Sequence, residues 1–577
     1  MEWAGEGRAM TLSKVVSLFG KILGPERDFF ILTIIYGIGI SFLSLATPIS
    51  VQMLINTVAN TGLATPLVVL SLTLFALLLV SGLLNALRVH LMEIFGRRFY
   101  ARLVSEIALR SLYAQNPFFA DDGRTSLFNR YFDILTVQKN IPVLLIGGFT
   151  LILQAGVGFA LVSFYHPLFL AFNLILITFI WAVWRVWGKS AIREACELSH
   201  RKHIAAAWLE GLGASNGYYK SEMHIAYALG RTDAVTASYV DAHRRHFRRH
   251  FAQTVSFFVI YAAASASLLG LGGWLVIQGQ LSIGQLVAAE LVLSAAFFGV
   301  SQLGAYLNYF YDLCAALEEL SLFYEVRQEE PKGSHMPMRH DSTLVFAQVQ
   351  GDARGAPALL DFRLENGAAV MARAQNHGVQ RLVCNLLKRH VMEKGGYITL
   401  GGRDIRDTEI HALRQEIIVL DRPTVIESTI RDYLRLSAGD AEPESILEAL
   451  RAVGLEQPVA ELEDGLDTKI ATTGWPLSIT EIMQLKLAAA LLARPRVLIL
   501  NQLFDVVCEE HLVTAIRALR DDPHTTLIYF SNRSRDLGFD EFLYLGRDRQ
   551  RFYDSVAGLA VATAEVARAP ATEEECA

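Results

Sequence analysis

Residues Gly474–Asp505 read GWPLSITEIMQLKLAAALLARPRVLILNQLFD. Leu485, Leu487, Leu491 and Leu492 recur near helical spacing, and Val497–Leu500 is a short apolar run typical of a buried parallel strand. The stretch therefore predicts a short loop, an amphipathic helix and a buried strand, in that order. The strand ends in Asn501-Gln502, two amides with no carboxylate between them.

Around this stretch, from about 344 to 555, short β-like runs alternate with helices, which predicts an α/β domain. Glu329–Thr343 (EEPKGSHMPMRHDST) is polar and turn-rich and reads as a linker. Residues 556–577 are Ala-rich, end in an acidic run and predict a disordered tail. A second informative segment, Lys394–Leu420, reads KGGYITLGGRDIRDTEIHALRQEIIVL.

These two segments resemble the ATPase domain of ABC transporters. Residues 477–481, LSITE, stand where that family has LSGGQ, and Asn501-Gln502 stand where it has Asp-Glu. Lys394–Leu420 resembles the strand and turn that follow the family's phosphate loop. The resemblance places that loop at Ala372–Arg381 (ARAQNHGVQR), between a strand at Ala368–Met371 and a helix at Leu382–Arg389. A working loop is GxxxxGK[ST]: glycines let amides surround the phosphates, lysine reaches the β/γ-phosphates and the hydroxyl holds Mg²⁺. Here Ala372, Gln375, His377, Gly378 and Arg381 occupy the segment, with one glycine, no lysine and no hydroxyl at the helix start. Arg381 brings charge, but a guanidinium on a longer arm does not replace lysine in that cradle.

The remaining stations of the resemblance are altered as well. The aspartate that holds Mg²⁺ and the glutamate that polarises water become Asn501 and Gln502, which keep the shape and lose both charges. The family's glutamine aligns with Arg422 and its switch histidine with Asn532. No aromatic residue stands near Gly351–Ala353 to stack on adenine. Ser478 survives from the signature, but Ile479 and Thr480 replace its two glycines. Phosphoryl transfer rests on positioning and charge neutralisation, so the expectation is a pseudo-ATPase with no cofactor of its own. A helix N-terminus still favours anions, which leaves weak ATP or phosphate binding open.

The first half of the chain is apolar. Six segments, near 28–57, 66–94, 141–164, 167–187, 252–278 and 283–310, are long enough to cross a bilayer, which takes roughly 20 residues. The connections 56–65, 163–167 and 278–283 carry no Lys or Arg. The opposite side carries Arg97, Arg98, Arg102 and Arg110, then Lys189, Arg193, Arg201 and Lys202, then Arg244, Arg245, Arg248 and Arg249. The positive-inside bias thus predicts a multi-pass protein of a bacterial-type inner membrane with both termini cytoplasmic. The connections 95–140 and 188–251 are helical in pattern, broken at Ser111–Gly123 and Gly211–Tyr219, each a candidate short helix for touching a cytoplasmic domain. Arg88 and Glu93 fall late in the second span, where they can approach the cytoplasmic interface. Six spans with such extensions, closed by Gly272–Leu293 (GGWLVIQGQLSIGQLVAAELVL), resemble the transmembrane domain of ABC exporters over residues 10–328.

Some features stay open at this level. Residues 11–23 show one apolar face and suit either a helix on the membrane surface or one packed on the core. Glu290 is an intramembrane carboxyl, hence a pathway candidate, unless it lies near enough to the outer interface to stay hydrated. His243, His246 and His250 share a helix face; interleaved with arginines, they predict a solvated basic face rather than a metal site. The net charge of −6 argues against a nucleic-acid partner. Five scattered cysteines without CxxC spacing fit a reducing compartment, and residues 1–24 lack a signal-peptide pattern.

Three functions follow. The chain is an exporter-type half-transporter driven by a competent ABC partner, a scaffold or accessory subunit holding lipid or peptide, or an ATP-independent facilitator using Glu290. The resemblance implies a dimeric partner, itself or another ABC subunit, in the lipid bilayer, with peptide, protein or lipid cargo. The altered signature weakens the first reading, because it would impair a partner's site too.

Overall fold

The computed structural model describes residues 12–60, 64–115, 119, 125–329, 341–439, 441–521 and 523–568. Its contacts separate two units, Met1–Gln328 and Glu329–Ala577.

The first unit is helical: α1 Leu12–Leu23, α2 Arg27–Leu43, α3 Ala46–Asn60, α4 Ala64–Leu112, α5 Asp133–Pro142, α6 Phe149–Ser163, α7 Pro167–Ala214, α8 Glu222–Ile277 and α9 Ile283–Ser321. Among the described residues, six helical runs are long and apolar enough to cross a membrane. The 56 residues of α8 extend about 84 Å at 1.5 Å per residue, far beyond a bilayer core. The first span is broken between α2 and α3, because Pro48 has no amide to continue the helical ladder. Gly279 at φ +69° turns the chain between α8 and α9. Ser282 and Gln285 then cap α9 reciprocally, Gln285 N donating to Ser282 Oγ at 3.1 Å and Ser282 N to Gln285 Oε1 at 2.9 Å. On α4, Leu72, Phe75, Leu79 and Leu83 are exposed, as side chains facing lipid would be.

Several expectations change here. The apolar face of α1 packs inward: Leu18, Ile22 and Leu23 are buried, and Phe19 stacks on Phe310 at 6.5 Å. Arg88 does not reach toward the interface. It is buried and donates to Thr150 Oγ1, to Asn85 Oδ1 at 2.8 Å and to Ile146 O at 3.3 Å. That last carbonyl belongs to a π-helical turn, Val143–Gly148, joining α5 to α6. Of the three histidines only His243 lies with Arg244, Arg245, Arg248 and Arg249 on the exposed surface. His246 is buried against α9, with its ring nitrogen 3.4 Å from Asn308, and His250 bonds Gly304 O at 2.9 Å. No group of three or more His, Cys, Asp or Glu among the described residues could hold a metal. The break at 211–219 is a 3₁₀ turn, Asn216–Lys220. Most of the other break, 116–118 and 120–124, lies outside the described residues.

The second unit holds two sheets. β1 Leu344–Ala353, β2 Ala356–Leu364, β4 Gly395–Leu400 and β5 Arg403–Asp404 form an antiparallel sheet in the order β2-β1-β4-β5. β3 Ala369–Ala374, β6 Ile417–Leu420, β9 Val497–Leu500, β10 Thr526–Phe530, β11 Glu541–Leu545 and β12 Gln550–Tyr553 form the other, in the order β12-β11-β3-β10-β9-β6. Its strands are parallel except β12. The runs VLIL and TLIYF are buried throughout, as central parallel strands require. A short ribbon, β7 Ser428–Thr429 with β8 Lys469–Ile470, lies apart. The helices are α10 His377–Leu387, α11 Ile410–Glu416, α12 Ile430–Ala438, α13 Pro443–Ala452, α14 Glu456–Ala460, α15 Ile479–Ala493, α16 Glu509–Arg520 and α17 Val556–Arg568.

The domain edges also differ from expectation. Residues 556–568, expected to be disordered, form α17, anchored by buried Val556 and Leu559. The expected linker 329–343 has structured ends. Glu329 is buried in a bidentate pair with Arg414, at 2.9 and 2.6 Å, and Ser342 is buried within 2.9 Å of Thr526. Residues 330–340 lie outside the described residues.

Candidate functional site

β3 runs through the middle of the large sheet, with Ala372 facing Phe530 on one neighbour and Leu543 on the other. The strand continues to Ala374 and α10 starts at His377, so the expected strand end at Met371 and helix start at Leu382 are both corrected. Only Gln375 and Asn376 separate the two elements. The segment predicted to wrap a phosphate is thus a tight turn.

That turn is bonded internally. Asn376 caps α10, its Oδ1 accepting from Val379 N at 3.1 Å. Gln375 accepts from Arg547 N at 3.0 Å, and its own amide donates to Leu545 O at 2.8 Å. Gly378 is buried within the helix. A Cβ there would stand 2.9 Å from the Arg354 stem, which therefore covers the first turn. His377 and Arg381 lie exposed on α10. Gly351–Ala353 ends β1, immediately before Arg354.

Asn501, at the end of β9, is buried and spends both ends of its amide on the backbone. Its Nδ2 donates to Asp421 O at 2.7 Å, and its Oδ1 accepts from Leu503 N at 3.0 Å. Gln502 is exposed. Arg422 is half-buried beside Asp421, at 4.0 Å. Asn532 is exposed, its amide donating to Asp505 Oδ2 at 3.0 Å.

Sequence reasoning missed the group that ties these loops together. Asp505 accepts from Tyr529 Oη, from Ser531 Oγ at 2.6 Å and from Asn532 N, and faces Arg533 Nε at 3.6 Å. Arg533 Nη2 donates to Asp505 O at 2.9 Å and to Val507 O at 2.5 Å. From β3, Arg373 donates to the carbonyls of Ser531, Asn532 and Arg533 at 3.3, 3.2 and 2.8 Å. Burial lowers the Arg373 pKa, and the Asp505 charge works against that shift. Burial, then the bond to Asp505, raises that of the Tyr529 hydroxyl. The loops after β9 and β10 are therefore clipped together by two arginines and one aspartate. Arg373 and Asp505 stood in the quoted segments and Arg533 follows Asn532, but only the fold brings them together.

The signature segment is an ordinary helix start. Ser478 caps α15, with Glu481 N donating to its Oγ at 3.3 Å and Ser478 N to Glu481 Oε2 at 2.7 Å. Trp475 and Ile479 beside it are exposed. In the other unit, Glu290 sits seven residues into α9, about 10 Å from its start. It is half-buried and accepts from Ser294 Oγ at 2.7 Å. The structure joins Ala372, Gln375, Asn376, Gly378, Asn501 and Asn532 around one edge of the sheet; Glu290 belongs to a separate unit.

The ABC transporter transmembrane region family matches residues 30–206. An uncharacterized ABC transporter ATP-binding protein of Bacillus subtilis, YknU, is 26% identical over 57% of this chain and 59% of its own length. The ABC multidrug transporter mdr2 of Aspergillus fumigatus is 24% identical over 91% of this chain and 69% of its own. The ATP-dependent lipid A-core flippase of Neisseria gonorrhoeae is 24% identical over 48% of this chain and 45% of its own. The solved structure of a bacterial Atm1-family ABC exporter with ATP bound matches with a TM-score of 0.79 and 18% identity, over 95% of this chain and 100% of the other. That likeness concerns the fold: six apolar helical runs followed by an α/β domain. The chain thus carries the transmembrane region of ABC transporters over residues 30–206 and, as a whole, an exporter-type architecture.

Proposed function

We propose that this chain is an exporter-type membrane subunit whose soluble domain does not hydrolyse ATP with its own residues. It works in export with a partner, another copy or a competent ABC subunit, or as an accessory subunit of a membrane complex. The observation that carries the reading is Asn501: at the metal position it has no carboxylate, and both ends of its amide are held by backbone groups. Mg²⁺ needs oxygen ligands that are free to face it. The tight turn at 375–376 and the exposed Gln502 supply neither a lysine nor a base. A nucleotide is not expected as a resident cofactor. The arginine pattern of the cytoplasmic extensions supports an inner-membrane placement with both termini inside.

The test uses the full chain purified into lipid nanodiscs. Mg-ATP turnover is expected to stay at the background of an Asn501→Ala, Gln502→Ala double variant, and mass spectrometry of the native complex is expected to find an intact ABC subunit or a second copy. Magnesium-dependent turnover that the double variant abolishes would overturn the proposal.

A further inference from the structure

The membrane unit contains an apolar, open-sided cavity of 460 Å³, lined by α1, α2, the π-turn with its flanking helices, and α9. Phe19, Leu23, Phe30, Leu144, Ile152 and Leu307 are among its lining residues, and Ile152 is itself exposed. Of the lining residues only Tyr306 carries a polar side-chain atom. A groove so lined gives water no polar partners and suits hydrocarbon. Its volume falls in the range of ligand pockets, about 300–1,000 Å³.

Two independent features point to an occupant. One wall is the wide turn Val143–Gly148, a geometry that is rare and concentrates at functional sites. Gly147 and Gly148 let the Tyr306 ring lie directly on that turn: a Cβ at Gly147 would overlap the ring. The second feature is charge. The lining residues Leu303–Leu313 lie roughly 30–45 Å from the Ile283 end of α9, against a hydrocarbon core about 30 Å thick. The cavity therefore meets the headgroup level. There the exposed Arg98 stands 5.8 Å over Phe29, next to the lining Phe30. Basic groups at that level attract anionic headgroups.

We propose that this cavity holds one acyl chain of an anionic membrane phospholipid, with the headgroup beside Arg98. The site is independent of whether the soluble domain turns over ATP.

Lysophosphatidylglycerols of increasing chain length, titrated onto the full chain in detergent, test the tail. Affinity should rise about fourfold per methylene until the cavity is full and then level off. In nanodiscs, phosphatidylglycerol with a diazirine in its tail should label residues 144–152 and 303–313. Leu307→Trp or Ile152→Trp should lower that labelling about fifteenfold, as the loss of two buried methylenes would, while Leu307→Met retains it. Arg98→Gln should remove the preference for phosphatidylglycerol over phosphatidylcholine. The proposal fails if affinity ignores chain length or if labelling concentrates on the lipid-facing residues 67–83. It also fails if a cysteine at position 307 cross-links two copies, which would mean that a second chain fills the cavity.

Discussion

At the scale of single residues, several side chains of the candidate site are held in structural hydrogen bonds. Asn501 is the clearest case, because its amide donates to the Asp421 carbonyl and accepts from Leu503. Restoring an acid there should not restore hydrolysis. In Asn501→Asp the donor facing the Asp421 carbonyl is lost and two oxygens oppose each other. The variant, alone or with Gln502→Glu, should be less stable by about 1–3 kcal/mol and show no gain in ATP turnover. Thermal unfolding and a phosphate-release assay of the full chain check both parts. The residue types at 372–381 and 501–502 were legible in the sequence. The meeting of Asp505, Arg373 and Arg533 was not, because up to 160 residues separate Arg373 from the carbonyls it binds and no local pattern announces such a clip.

At the scale of elements, continuous apolar runs were reliable guides. Val497–Leu500 forms a strand buried on both faces, and the long membrane helices appear where hydropathy placed them. Boundaries were less legible where one side chain decides them. The start of α10 moved five residues earlier than expected because Asn376 supplies a cap at that point. The segment after 555 looked like a tail because its alanines hide two anchors, Val556 and Leu559. Leu559 is fully buried, so Leu559→Ala should destabilise the soluble domain by about 2–5 kcal/mol and expose α17 to proteolysis. Limited digestion with mass readout checks this. Arg88 and His246 were misplaced for a related reason: periodicity gives a helix face but does not say which neighbouring helix covers it.

For the whole molecule, stability is tied to pH through buried basic groups of the soluble unit. Burial, with Arg414 and Lys388 nearby, lowers the His390 pKa from 6.5 to about 3. The unfolded chain therefore takes up a proton between pH 6.5 and about 3 that the folded chain refuses, and stability falls as pH falls through that window. Burial, then Arg414, lowers the Lys388 pKa from 10.5 to about 8, so its contribution rises with pH between about 8 and 10.5. Melting curves of the full chain should show a shallower acid slope in His390→Gln than in the parent; equal slopes would remove His390 as a cause. The π-turn at 143–148 has a consequence at this scale too. A turn of that kind behaves as one surplus residue absorbed within a helix, and an ordinary helix rotates by about 100° per residue. Deleting one residue inside it can therefore wind the turn tight while leaving α6 in its seat against α9. The same deletion a few positions further on would swing every later side chain of α6 a quarter-turn out of phase. This protein thus carries a built-in tolerance for a length change at one point of its bundle and at no neighbouring point of that helix.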